Sequence, residues 1–137
     1  MIVAALNGSD TDGEGTTTAC HISMGSKSKM TLVYVIEIPR KYPLDVELAQ
    51  MTSKAEDTLD RMDKLCRKMK VKPNTVIVQA RSMGTAIVAH STEQTAEMII
   101  MGAGKTASDN THVISDDVAY VLKNANCKVM ACKFPVA

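Results

Sequence analysis

Tryptophan is absent from this chain of 137 residues, phenylalanine occurs once and tyrosine three times. So few rings exclude the aromatic platforms on which single-stranded nucleic acid stacks its bases. Charge of one sign is also lacking. Sixteen Lys and Arg stand against 15 Asp and Glu, a net charge of +1, and no basic block gathers on one segment. Such a balance offers no field to recruit nucleic acid or an anionic membrane. No apolar run approaches the ~20 residues of a membrane span, and no signal-peptide pattern heads the chain. Cys20, Cys66, Cys127 and Cys132 never form a Cys-x-x-Cys pair, and His21, His90 and His112 are scattered. Zinc sites normally draw ligands from close pairs, so no metal residues are assigned. The four cysteines read as buried thiols in a reducing cytoplasm, which is the expected location.

What is present is aliphatic. Residues counted as apolar make up 45% of the chain, ten methionines among them. Met fills irregular gaps well, so it suits a core with few rings. The length suffices for one core, and a single domain over 1–137 is expected.

Ile2–Leu6 is a continuous apolar run, as in a strand buried on both faces of a parallel sheet. Asn7-Gly8 ends it with a turn signal. Ser9–Lys29 should hold a crossover helix, with Ala19, Ile22 and Met24 as a thin apolar stripe. Gly13, Gly15, Gly25 and the run Thr16-Thr17-Thr18 weaken it, since each interior Gly costs up to about 1 kcal/mol against Ala. A short or frayed helix is expected there. Thr31–Ile38 is the clearest strand, rich in β-branched residues.

Pro39 and Pro43 bracket a connector before the longest helix, expected over about Leu44–Lys70. There Leu48, Met51, Ala55, Leu59, Met62, Cys66 and Met69 step by three or four along one face. After Pro73-Asn74 come a strand over Thr75–Ala80, a helix over Thr85–Gln94 and a strand over Met98–Met101 that stops at Gly102. Ser115-Asp116-Asp117 supply capping residues for a further helix, and Cys127–Phe134 reads as a last strand. Lys128 and Lys133 near its ends suit an edge position.

Short apolar strands alternating with helices imply a single doubly wound, mainly parallel sheet. The order 3-2-1-4-5 puts the switch point between the first and fourth strands, with the ligand crevice at Asn7-Gly8 and from Gly102 onward. The loop from Gly102 is therefore the candidate ligand loop. Its GAGKT is not a Walker A sequence, because Ile99 occupies the position of the leading Gly. His112, Ser115 and Asp116 are neighbours in sequence without the geometry of a triad, and no catalytic residues are assigned.

Taken in order, these pieces resemble the universal stress protein (UspA-like) domain family from Ile2 to Lys133. The carrying residues are IVAALNGS, where the family has a strand ending in Asp-Gly-Ser, then TLVYVIEIP, then the helix start Gly84–Ile87. MIIMGAG and VLKNANCKVMAC complete the set. The resemblance implies an adenine nucleotide alpha hydrolase-like (Rossmann-like) sheet and homodimers through the last strand, 127–134. It also implies a stress-linked regulatory role without settled catalysis. Similar domains occur fused to transporters and kinases, so a docking domain of a larger protein is an alternative.

Members of that family that bind ATP carry Gly-x-x-Gly, nine residues, then Gly-Ser/Thr. Gly102 matches the first glycine. Lys105 holds the second place, with Gly104 one position away, and Ser115 and Asp116 hold the last two. Asn7 replaces the acidic residue that ends the first strand, with Ala5 beside it, and Val35 and Ile36 lie where adenine would pack. These nine residues are the candidate cofactor site, for ATP or AMP. Ser115 adds a Cβ and Asp116 a carboxylate where a phosphate would meet a helix N-terminus. Two like charges ~4 Å apart repel by about 4 kcal/mol at an effective dielectric near 20. A degenerate site that binds ATP weakly or not at all is the first expectation, and a nucleotide switch with substituted contacts the alternative.

Overall fold

The apolar run Ile2–Leu6 forms β1 and is buried along its whole length. The computed structural model describes residues 1–105 and 115–134. The order of elements is β1, α1 (Asp12–Ser26), β2 (Met30–Glu37), α2 (Ala49–Lys68), β3 (Asn74–Ala80), α3 (Met83–Glu93), β4 (Met98–Lys105), α4 (Asp116–Asn124) and β5 (Lys128–Phe134). The five strands make one sheet in the order β3-β2-β1-β4-β5, all neighbours parallel. The doubly wound topology expected from the sequence is the one observed.

Strand alternation divides the core in two. Ile2, Ala4 and Leu6 of β1 join Leu32, Tyr34 and Ile36 of β2 in a cluster under α1 and α2. Val3, Ala5, Val33 and Val35 point the other way, into a cluster with Ile87 of α3 and Val118 and Val121 of α4. Both faces of β1 and β2 are thus covered, which is why those strands carry no polar alternation. β5 lies at one edge, with Lys128 and Lys133 exposed at its ends.

Three expectations need correction. α1 is a full helix of 15 residues, and its buried face is Gly15, Thr16, Ala19, Cys20 and Ser23 together with Asp12. Met24, read as part of the stripe, is exposed, and Ile22 is half-buried. That face is made mostly of small or polar residues, so its burial carries little hydrophobic pattern.

α2 begins at Ala49, not Leu44. The chain first turns at Pro43–Val46, where Val46 N–H donates to the Pro43 carbonyl at 3.1 Å. Gln79 Nε2 then donates to the Leu44 and Val46 carbonyls, both at 2.8 Å, holding that segment away from helical pairing. Of the expected stripe, Ala55, Leu59, Met62 and Cys66 are buried, whereas Met51 is exposed.

β4 does not stop at Gly102. Gly102 pairs with Cys132 of β5, and after an irregularity the pairing resumes at Lys105 with Phe134. The glycine therefore sits within a strand, which runs on to Lys105.

Candidate functional site

β1 and β4 are neighbours at the switch point, and the turn from β1 into α1 lies at its carboxyl end. Gly8 has φ of 83°, which an L side chain rarely adopts. A Cβ there would also come within 2.7 Å of Lys54 Cε and 2.8 Å of the Tyr34 hydroxyl oxygen. Asp12, at the start of α1, holds the turn from inside. Its Oδ2 accepts from Gly8 N–H at 2.8 Å and its Oδ1 from Asn7 N–H at 3.4 Å. The Tyr34 hydroxyl donates to the Asn7 carbonyl at 3.3 Å.

Burial pushes the Asp12 carboxyl above the ordinary aspartate range. The Gly8 and Asn7 N–H groups, then Arg61 and Lys54, pull the other way without cancelling it. A carboxyl whose folded pKa is raised contributes its full stability below the unfolded value and loses it as pH rises through the folded value. Asp12→Asn keeps an oxygen acceptor for Gly8 and cannot ionise. Wild type should therefore lose stability relative to Asp12→Asn as pH is raised from the acid range to neutrality. Urea unfolding at several pH values measures this, and parallel profiles for the two proteins would contradict it.

Two adjoining cavities make up the crevice. One, of about 240 Å³, is lined by Tyr34, Val35, Ile36, Glu37, Met51 and Lys54. The other, of about 130 Å³, is lined by Ala5, Thr11, Asp12, Met101, Gly102, Ser115 and Val118. Asn7, Met83 and Asp117 border both. Each is below the ~300 Å³ at which small-molecule pockets usually begin. Two grooves of about 580 Å³ run along α2. On the one beside β3, Asp60 pairs with Lys64 and Asp63 with Arg67 along the helix itself, so its charges do not converge on a ligand.

The expected site residues divide as follows. Ala5, Asn7, Gly102 and Ser115 come together at the smaller cavity, and Asn7, Val35 and Ile36 at the larger. Val35 and Ile36 point to opposite faces of the sheet and belong to different core clusters. The Asn7 side chain folds back to accept from Ser9 N–H at 2.9 Å, which engages it in its own turn. Ser115 caps α4 by accepting from Val118 N–H at 3.2 Å. Asp116 is exposed and borders neither cavity. Gly104 and Lys105 are in β4 by backbone pairing. His112, the expected loop residue, lies outside the described residues.

The carboxylates that bond to the α3 end of the crevice are Asp117 and Glu37. Asp117 Oδ1 accepts from Gly84 N–H at 2.9 Å, and Glu37 Oε2 accepts from Met83 N–H at 3.1 Å. Ser82 Oγ accepts from Thr85 N–H at 3.4 Å. The N-terminus of α3 is a natural anion site, and two carboxylates from β2 and α4 already occupy it. Asp117, and not its neighbour Asp116, bonds to this helix end. Successive residues at a helix start point about 100° apart, so only one of the pair can face α3.

Thr11, Asp12, Glu37, Lys54 and Asp117 are the polar residues that the sequence reading missed. Asp12 and Asp117 carried a signal, since acidic residues favour the first turn of a helix, but Glu37 ends a strand, and the targets of Glu37 and Asp117 belong to α3.

A parallel doubly wound sheet with its crevice at the β1/β4 switch point defines a Rossmann-like α/β domain. The sequence profile of the Universal stress protein family matches residues 1–133, and the chain belongs to that family. No curated protein matches it in sequence. Among solved structures it is similar to a universal stress protein from Archaeoglobus fulgidus, at 17% identity and a TM-score of 0.79, covering 95% of this chain and 96% of that one. A structure of the Archaeoglobus fulgidus universal stress protein in complex with dAMP gives 17% identity and 0.74, covering 95% and 94%. An Arabidopsis thaliana universal stress protein family protein with AMP bound gives 17% and 0.69, covering 98% and 92%. At such identities the likeness speaks for the fold.

Proposed function

We propose that the chain is a non-catalytic regulatory domain of the universal stress type, whose crevice binds ATP weakly or not at all. The observation that carries this is the pair of carboxylates on the α3 N-terminus. A triphosphate entering the crevice meets Glu37 and Asp117 where it would otherwise find free N–H groups. Lys54, on the far wall, offsets only part of that charge. The described residues also hold no group of three or more His, Cys, Asp or Glu able to bind a metal ion.

A second reading is favoured by the complexes of similar proteins with AMP and dAMP. A monophosphate brings less charge to the carboxylates, so AMP should bind better than ATP if either binds. Homodimerisation is proposed through β5, whose Val129, Met130, Ala131 and Cys132 are half-buried at the sheet edge. An edge with an apolar centre and lysine ends suits pairing with a second copy while discouraging longer stacks.

Isothermal titration with Mg-ATP, ADP, AMP and cyclic AMP, with sedimentation velocity on the same samples, tests this reading. ATP should bind no tighter than about 30–100 μM, consistent with ~2–3 kcal/mol of net repulsion weakening a micromolar site thirty- to hundredfold. AMP should rank above ATP, and the protein should sediment as a dimer. Micromolar ATP affinity would overturn the charge argument, and a monomer would overturn the edge pairing.

A further inference from the structure

Two thiols meet in the core between α1 and α2. Cys20 and Cys66 are 46 positions apart in the chain, yet their Sγ atoms lie 3.3 Å from each other. Both side chains are fully buried. α1 and α2 pack on the same face of the sheet, so no other element separates the pair. A disulfide needs the sulfurs about 2.0 Å apart, so the two must draw together by roughly 1 Å.

The two helices differ in strength. α2 carries Asp60–Lys64 and Asp63–Arg67 pairs at i,i+4 and buries four apolar side chains. α1 contains Gly13, Gly15 and Gly25 and buries mostly small side chains. Thr17 and Thr18 donate to the Gly13 and Glu14 carbonyls one turn back, a bonding pattern that weakens and bends helices. Thr16 Oγ1 is buried with no partner among the described residues. An element with so little to hold it opens locally more often than the rest of the fold.

We propose that Cys20 and Cys66 form a reversible redox dithiol, oxidised by small-molecule disulfides of the glutathione type to an intramolecular disulfide that locks α1 to α2. In the closed state burial pushes both thiols up, Cys66 further than Cys20, so neither supplies a thiolate. Opening of α1 exposes Cys20 to water. Its thiolate, formed by loss of a proton, attacks one sulfur of the small disulfide and expels one thiolate. Cys66, losing its proton, then displaces the second through attack on the Cys20 sulfur. The two released protons convert both leaving groups to thiols. Two electrons pass from the protein to the small disulfide, and no further reactant is needed.

The consequence reaches the crevice. α1 carries Asp12, which holds the β1–α1 turn, with Thr11 just before it. α2 carries Lys54, which lies against Gly8. A cross-link between the two helices fixes the two walls relative to one another. Oxidation would therefore stiffen the crevice without adding a group to it.

The test treats the full chain with oxidised glutathione, blocks remaining thiols under denaturing conditions, and maps linked peptides by mass. The expected product is a Cys20–Cys66 link that dithiothreitol reverses, formed equally in a Cys127→Ser, Cys132→Ser variant. By loop-closure entropy the oxidised protein should melt about 10 °C higher than the reduced one. Gly15→Ala, whose added methyl meets nothing within 4 Å, strengthens α1 and should slow the reaction about fivefold. Glutathione left on either cysteine, or a product linking Cys127 or Cys132 while Cys20 and Cys66 stay alkylatable, would overturn the proposal. So would an oxidation rate indifferent to Gly15→Ala. These outcomes do not depend on whether a nucleotide binds.

Discussion

Replacing Glu37 by Gln and Asp117 by Asn together should tighten AMP and ATP binding, ATP the more. Both replacements keep a side-chain oxygen where Met83 N–H and Gly84 N–H find their acceptors. The start of α3 therefore stays capped, and only the charge is lost. Unit charges ~6 Å apart interact by roughly 3 kcal/mol at an effective dielectric near 20. Glu37 is exposed, so solvent and salt screen its share. About 2–3 kcal/mol for the pair is a reasonable net, or roughly thirty- to hundredfold in affinity. Titration of both nucleotides against wild type and the double variant reads it directly. Equal affinities in the two proteins would mean that these carboxylates do not govern what the crevice accepts.

The same pair shows what could be read from the chain and what could not. Strands such as Ile2–Leu6 and Thr31–Ile38 announce themselves, because a strand covered on both faces must be apolar throughout. Once strands and helices alternate, connection rules narrow the sheet order to a few, and the crevice follows from the order 3-2-1-4-5. The contents of the crevice obey no such local rule. Glu37 ends β2 and Asp117 belongs to α4, yet both bond to α3. Their roles exist only after the sheet has brought three element ends together. The choice of Asp117 over Asp116 is likewise a matter of helical phase, and the β4 pairing that continues past Gly102 depends on the neighbouring strand. α1 was hard to read for another reason. Its inner face is Gly15, Thr16, Ala19, Cys20 and Ser23, small or polar residues that give little hydrophobic contrast.

Gly102 gives the second large effect. A Cβ built there would overlap the Thr11 hydroxyl oxygen and stand 3.0 Å from Thr11 Cβ. Thr11 is only 6% exposed, and its hydroxyl shares a 2.9 Å hydrogen bond with Ser9 Oγ, so it has little room to retreat. Gly102→Ala should therefore destabilise the fold by about 1–3 kcal/mol, the usual range for overfilling a packed site. Gly102→Val should cost more, since Gly102 also pairs with Cys132 of β5 and cannot shift alone. Thr11→Ala removes the overlapping oxygen, so the double variant Thr11→Ala, Gly102→Ala should lose less than the sum of the singles, by about 1 kcal/mol or more. Urea unfolding of the four proteins closes the cycle, and strict additivity would refute the contact. The glycine is needed here because α1's leading residue leans on it. Its bare backbone faces Thr11, so a phosphate seeking that backbone would first have to displace a buried side chain, a second obstacle that acts independently of charge.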